Sequence, residues 1–231
     1  MFHRVDSKNR EELATRLAEA VIADLRRGIS ERDIAVLAVS GGSTPVLFFQ
    51  KLALQDDIDW TKVIITLVDE RWVDETSGRS NARLVRQNLL TGPAALAHFV
   101  PLFVGGTDPD PKNIARSNDF QQQIPHPYNA VVLGMGNDGH TASFFPGADA
   151  LDQALTSHEF VLAIRAPGAG EPRATLTLPR LLETHSLYLH IEGAQKYQTL
   201  ARAMENGPIS DMPVRAVLRQ NEKLLNIYWC P

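Results

Sequence analysis

Three short apolar runs, Ile34–Val39, Val63–Val68 and Ala130–Leu133, limit the folds open to this chain, because each is followed at once by a polar or glycine-rich segment. Runs rich in β-branched residues and free of alternation suit strands buried on both faces, the situation in parallel sheets covered by helices. Helical periodicity fills the intervals. Leu13, Leu17, Ala20, Val21 and Leu25 recur at helical spacing, with Ser7 placed to cap that helix and Gly28 to close it. Pro45 suits the first turn of a helix over Val46–Leu54, and Asn81–Leu90 and Lys112–Gln123 are further helical stretches. Later come strands near Phe160–Ile164, Ala174–Leu178 and Ser186–Ile191, a helix near Ala194–Glu205 and a last strand Leu225–Trp229. The alternation predicts an α/β fold with a largely parallel sheet flanked by helices.

At 231 residues with 44% hydrophobic content, the chain can bury a full core. Thr107–Lys112 is the most linker-like segment, but no shift of composition marks a boundary, so residues 1–231 are expected to form a single domain. With 23 basic against 27 acidic residues, a net charge of −4 gives no electrostatic ground for nucleic acid or a membrane surface, and points to small molecules as partners. Cys230 is the only cysteine, which excludes an intrachain disulfide and a cysteine-based zinc site. The N-terminal segment is charged, and no stretch approaches the roughly 20 apolar residues of a membrane span; a cytoplasmic protein is expected.

The carboxyl ends of parallel strands lie on one edge of a sheet, where ligands bind. Three polar clusters follow the three runs. Ser40, Gly41, Gly42, Ser43 and Thr44 offer hydroxyls, backbone N–H groups and a following helix start, a means of holding phosphate without net charge, although a tight turn needs the same glycines. Asp69-Glu70-Arg71 is a solvated charged turn or part of a site. The third, Gly134–Gly147, spells GxGxxG after a strand. A dinucleotide site also needs a helix running on from the third glycine and an acidic residue ending the next strand. Here Pro146-Gly147 interrupts, and Glu159 precedes its strand. What the segment does carry is His140, two residues after Asp138, a pair suited to activating water.

Taken together, SGGSTP at Ser40–Pro45, DERWV at Asp69–Val73 with Ser80-Asn81 following, GMGNDGHTASFFPG at Gly134–Gly147, PRATLT at Pro172–Thr177 and Gly193-x-x-Lys196 resemble the glucosamine-6-phosphate isomerase/6-phosphogluconolactonase family, and within it the lactonases. The sequence departs from the family pattern at Asp74, at Phe144 and at Glu192, where threonine often precedes the glycine. The resemblance implies a Rossmann-like sheet similar to the deaminase and ribose-5-phosphate isomerase group. It implies hydrolysis of 6-phospho-D-glucono-1,5-lactone to 6-phosphogluconate in the oxidative pentose phosphate pathway, without a cofactor. His140 is then the general base, Asp138 its orienting partner, and Asp69 an assistant or sugar contact. Arg71, Arg173 and Lys196 hold the phosphate beside Ser40–Thr44, with Arg79 a weaker candidate. Backbone N–H groups of Gly134–His140 could stabilise the oxyanion.

Three other readings compete. A deaminase of the same group carries a glutamate five residues after the histidine to assist ring opening, where this chain has Phe145. A noncatalytic sugar-phosphate-binding regulator has no need of Asp138 and His140. A nicotinamide-dependent oxidoreductase is the third, testable by whether NAD(P) shifts the melting temperature. No metal is expected: the other six histidines show no ligand spacing and are expected on the surface or in loops. The sequence leaves the oligomeric state open.

Overall fold

A computed structural model describes all residues, 1–231. In chain order the elements are β1 (Phe2–Asp6), α1 (Arg10–Arg32), β2 (Ala35–Val39), α2 (Val46–Ala53), β3 (Val63–Leu67), β4 (Asp69–Arg71), α3 (Asn81–Asn88), β5 (His98–Val100), α4 (Pro111–Gln122), β6 (Tyr128–Leu133), α5 (Leu151–Thr156), β7 (Val161–Ile164), β8 (Arg173–Leu176), α6 (Leu178–Leu182), β9 (Thr184–Glu192), α7 (Ala194–Met204), α8 (Val214–Arg219) and β10 (Leu225–Cys230). Seven strands form one sheet in the order β1-β10-β9-β6-β2-β3-β5, and every neighbouring pair is parallel. The expected α/β class with a mainly parallel sheet is therefore the observed one. β2 and β6 sit at its centre and are buried at every position, which is why their sequences lack alternation. One continuous apolar cluster of 61 buried residues runs through the molecule, leaving no seam between separate cores. No helix is long and apolar enough to cross a membrane.

Several local expectations are corrected. The long first helix is capped by Asn9, whose side chain accepts from Glu12 N, and not by Ser7, whose own N–H donates to Trp229 O. Gly28 does not end that helix. A Cβ there would collide with the Asn129 side chain, which accepts from Val36 N at 2.9 Å and Arg32 Nη2 at 2.7 Å; the glycine admits this bridge between helix and sheet. The helix ends at Arg32, with Asp33 left-handed at φ 60° and its N–H returning to Ile29 O. The linker-like Thr107–Lys112 stretch leads into α4: Asp110 accepts from Asn113 N at 2.8 Å and Pro111 opens the first turn. Leu178 belongs to α6 and not to the preceding strand, because Pro179 in the next helix's first turn ends the ladder. β1, an edge strand of which only Val5 is buried, gave no apolar run to read.

A second sheet, β4-β8-β7, is antiparallel. It makes Asp69-Glu70-Arg71, read from sequence as a charged turn or part of a site, a short strand in register with Thr175, Ala174 and Arg173. This small sheet brings the Asp69 and Arg173 motifs side by side.

Candidate active site

The carboxyl ends of β2, β3 and β6 converge as parallel topology requires, and a cleft of about 230 Å³ opens there. Ser40, Gly41, Gly42, Ser43, Thr44, Asp69, Arg71, His140, Arg173 and Lys196 all line it. Asp138 stands behind His140 instead of in the wall. Arg79 is elsewhere, paired with Glu171 at 2.6 Å, though its carbonyl accepts from Arg71 Nη1 at 2.6 Å.

The two glycine loops are stitched together: Ser40 Oγ accepts from Gly134 N at 3.0 Å, and Thr141 Oγ1 donates to Gly134 O at 2.7 Å. The backbone N–H groups of Gly41, Gly42, Ser43 and Thr44 make no bond within the protein and precede the first turn of α2, a geometry that favours an anion. By contrast, the loop expected to supply oxyanion donors has spent most of its own. Gly134 N is held by Ser40, Gly136 N by His140 O at 2.9 Å, Gly139 N by Gly136 O at 3.1 Å and His140 N by Asp138 Oδ1 at 3.1 Å. The amides of Met135, Asn137 and Asp138 remain.

His140 is fixed from two sides. Its Nδ1 lies 2.6 Å from Asp138 Oδ1, and its ring stacks on Phe145 with centroids 4.2 Å apart at 35°. Nε2 is left without a protein partner. Gly136 is required beneath this pair, since a Cβ there would occupy the space of the imidazole and the Asp138 carboxylate. The loop is braced from outside by Val214 N, which donates to Gly139 O at 2.8 Å. It also tolerates strain: Ala142, in the cleft wall, has φ 47° without being glycine. Burial works to raise the Asp138 carboxyl pKa, but the bond to and charge of His140 outweigh it and hold the group below its ordinary value.

Asp69 accepts from the buried Ser143 Oγ at 2.6 Å and pairs with Arg173 at 3.7 Å, so its carboxylate is largely committed to holding neighbours. Arg173 lies with its Cζ 5.3 Å from the Phe145 ring centroid, on the His140 side of the cleft. Arg71 and Arg173 each keep a buried Nε–H with no partner, donors that an anionic ligand could satisfy. Glu70, fully buried behind them, accepts from Arg71 N, Ser80 Oγ, Asn81 N and Ala82 N; burial pushes its pKa up to about 7 against the pull of three backbone N–H groups. Lys196 Nζ donates to Thr44 Oγ1 at 2.9 Å, and burial lowers the ammonium's pKa, with Glu192 resisting.

One cleft residue contradicts its sequence reading. His190 is neither surface nor loop but 2% exposed on β9, where it meets the edge of Phe48 and enters the cleft wall. A strand buried on both faces pulls in even its polar residues, and the available signal was His190 and Glu192 spaced two apart at the end of such a strand.

Comparison with known proteins places this geometry. Residues 8–229 match the family described as Glucosamine-6-phosphate isomerases/6-phosphogluconolactonase. A 6-phosphogluconolactonase of Rhizobium meliloti (strain 1021) is 46% identical over 226 residues, covering 97% of each chain. One from Pseudomonas aeruginosa is 38% identical, with 95% of this chain and 91% of that one covered. The crystal structure of a 6-phosphogluconolactonase from Shewanella baltica OS155 superposes with a TM-score of 0.97 at 36% identity, over 100% of this chain and 98% of that one. A monomeric glucosamine-6-phosphate deaminase, 16% identical, still reaches a TM-score of 0.77 over 100% and 97% of the two chains, so the fold alone is shared between both chemistries. With nearly its whole length matched, this chain belongs to the glucosamine-6-phosphate isomerase/6-phosphogluconolactonase family.

Proposed function

We propose that the chain hydrolyses 6-phospho-D-glucono-1,5-lactone to 6-phosphogluconate in the cytoplasm. The observation that carries this reading is the Asp138–His140–Phe145 arrangement: a histidine oriented through Nδ1, with Nε2 free, and an apolar ring where a ring-opening acid would be needed for deamination. The lactonase relatives and the shared motifs support the substrate.

In this mechanism His140 Nε2 takes a proton from water as the water oxygen attacks the lactone carbonyl. Asp138 keeps the proton on Nδ1 and stabilises the imidazolium that forms. The tetrahedral oxyanion is met by unpaired amides at the strand ends, with Arg173 nearby. Collapse breaks the bond from the carbonyl carbon to the ring oxygen, which receives the proton back from Nε2. The phosphate sits on the amides of Gly41–Thr44 with Lys196, while Arg71 and Arg173 add positive charge from across the cleft.

The test is direct comparison of 6-phosphogluconolactone and glucosamine 6-phosphate as substrates, with spontaneous lactone hydrolysis subtracted. Enzyme-dependent acid formation from the lactone and no ammonia from the amino sugar are expected. Ammonia release would assign the chain to the isomerase-deaminases, and activity on neither would favour a regulator that only binds sugar phosphates.

A further inference from the structure

The departure at Glu192 and the unexpected burial of His190 belong to one arrangement. Glu192 Oε2 accepts from Arg10 Nε at 2.6 Å, and Glu192 Oε1 accepts from His190 Nε2 at 3.2 Å. A carboxylate only accepts, so the neutral ring carries its proton on Nε2 and leaves Nδ1 with a bare lone pair. That Nδ1 is buried and has no partner. Four residues beyond Glu192, Lys196 reaches Thr44 in the same cleft wall that His190 lines. An enclosed polar atom without a partner is costly, and it sits beside the place where a phosphate is expected.

We propose that His190, backed by Glu192 and Arg10, completes the phosphate seat with Lys196 and Thr44, and binds one proton as a dianionic phosphate enters. This rests on the lactonase reading for the ligand. A proton from the buffer adds to the Nδ1 lone pair; the resulting imidazolium keeps its Nε2–H on Glu192 and sets its positive charge in the cleft wall beside the phosphate. The charged groups around the ring are few. Glu192 lies on its own strand, Arg10 comes from α1 and Lys196 from α7, while Tyr228 of β10 stands in register with it. Phe48 of α2 is apolar, and β6 brings only Val132 and Leu133 to this stretch of β9. Burial holds the imidazole pKa below its ordinary value, with Lys196 and Arg10 adding to that effect against Glu192. An arriving dianion adds negative charge beside that of Glu192 and reverses the balance. Glu192 is then a positioning residue: it fixes the tautomer and neutralises the imidazolium once formed.

The experiment is calorimetric titration with 6-phosphogluconate at about pH 8, repeated in buffers of different ionisation enthalpy, on the wild type and on His190→Asn, with gluconate and inorganic phosphate as further probes. Near pH 8 the phosphate is already a dianion, so a proton taken up goes to the protein. Uptake close to one proton by the wild type, none by His190→Asn and none with gluconate is expected, together with affinity about tenfold weaker in the variant. No uptake by the wild type overturns the proposal, as does uptake that persists in His190→Asn, which would put the proton on Lys196. Proton-coupled binding of inorganic phosphate without any lactone turnover would keep the seat and remove the lactonase reading. Lactone turnover with uncoupled phosphate binding would do the reverse.

Discussion

The two ends of the cleft are built in opposite ways. At the end proposed for hydrolysis, Asp138, His140 and Phe145 lie within eight residues and hold one another inside a single loop. At the end proposed for the phosphate, Thr44 and Lys196 are 152 positions apart, and Arg10 reaches Glu192 across 182. The first is a property of local sequence, the second of strand order: β9 and β2 both flank β6, so their ends become neighbours only once the sheet is formed. In the proposed mechanism the proton-transfer group is encoded locally, whereas the meeting of Lys196 with the Thr44 loop is encoded by topology.

The comparison is broken most forcefully at His140. His140→Ala should lower turnover of the lactone about 10²- to 10⁴-fold while leaving 6-phosphogluconate affinity nearly unchanged. Near-normal turnover would remove it from the mechanism and leave the local end without its function. Next in size is Lys196→Ala, expected to weaken the phosphorylated lactone roughly 10- to 100-fold and the unphosphorylated lactone hardly at all. Equal loss on both would make Lys196 a general structural group. Because burial lowers its pKa, wild-type affinity for 6-phosphogluconate should also fall as pH rises, before the roughly 10.4 of an ordinary lysine is reached. An alkaline limb unchanged in Lys196→Ala would contradict that assignment. The smallest effect belongs to Asp138→Asn, about tenfold in kcat, since the half-exposed carboxylate shares its task with solvent. With its pKa held below the ordinary value, the wild type should keep Asp138 ionised to lower pH than a free carboxylate, which is near 3.9. An NMR titration of the Asp138 carboxyl reports this, and a kcat loss in Asp138→Asn larger than that of His140→Ala would reverse the assigned roles.

What could be read from sequence follows the same division. The central strands announced themselves because burial on both faces erases alternation, whereas β1 and β5, short and at the sheet's edges, bury too little to leave a signal. The Asp138–His140 pair was visible at a spacing of two residues. The placement of Lys196 came from motif resemblance, and no local pattern could have supplied its contact with Thr44. Asp69-Glu70-Arg71 read equally as a charged turn, because nothing nearby in sequence reveals that β8 will pair with it. His190 was passed over for a related reason: a lone histidine in a strand acquires meaning only when the strand's neighbours are known.

Glu70 illustrates a mechanical side of this architecture. Its one carboxylate clamps the backbone of Arg71 on the small sheet and of Asn81 and Ala82 at the head of α3. Arg71 and Asn81 both line the cleft, so this wall is tied together by a buried side chain that does not itself line it. Removing that one carboxylate, as in Glu70→Ala, should loosen the Arg71 strand and the head of α3 together.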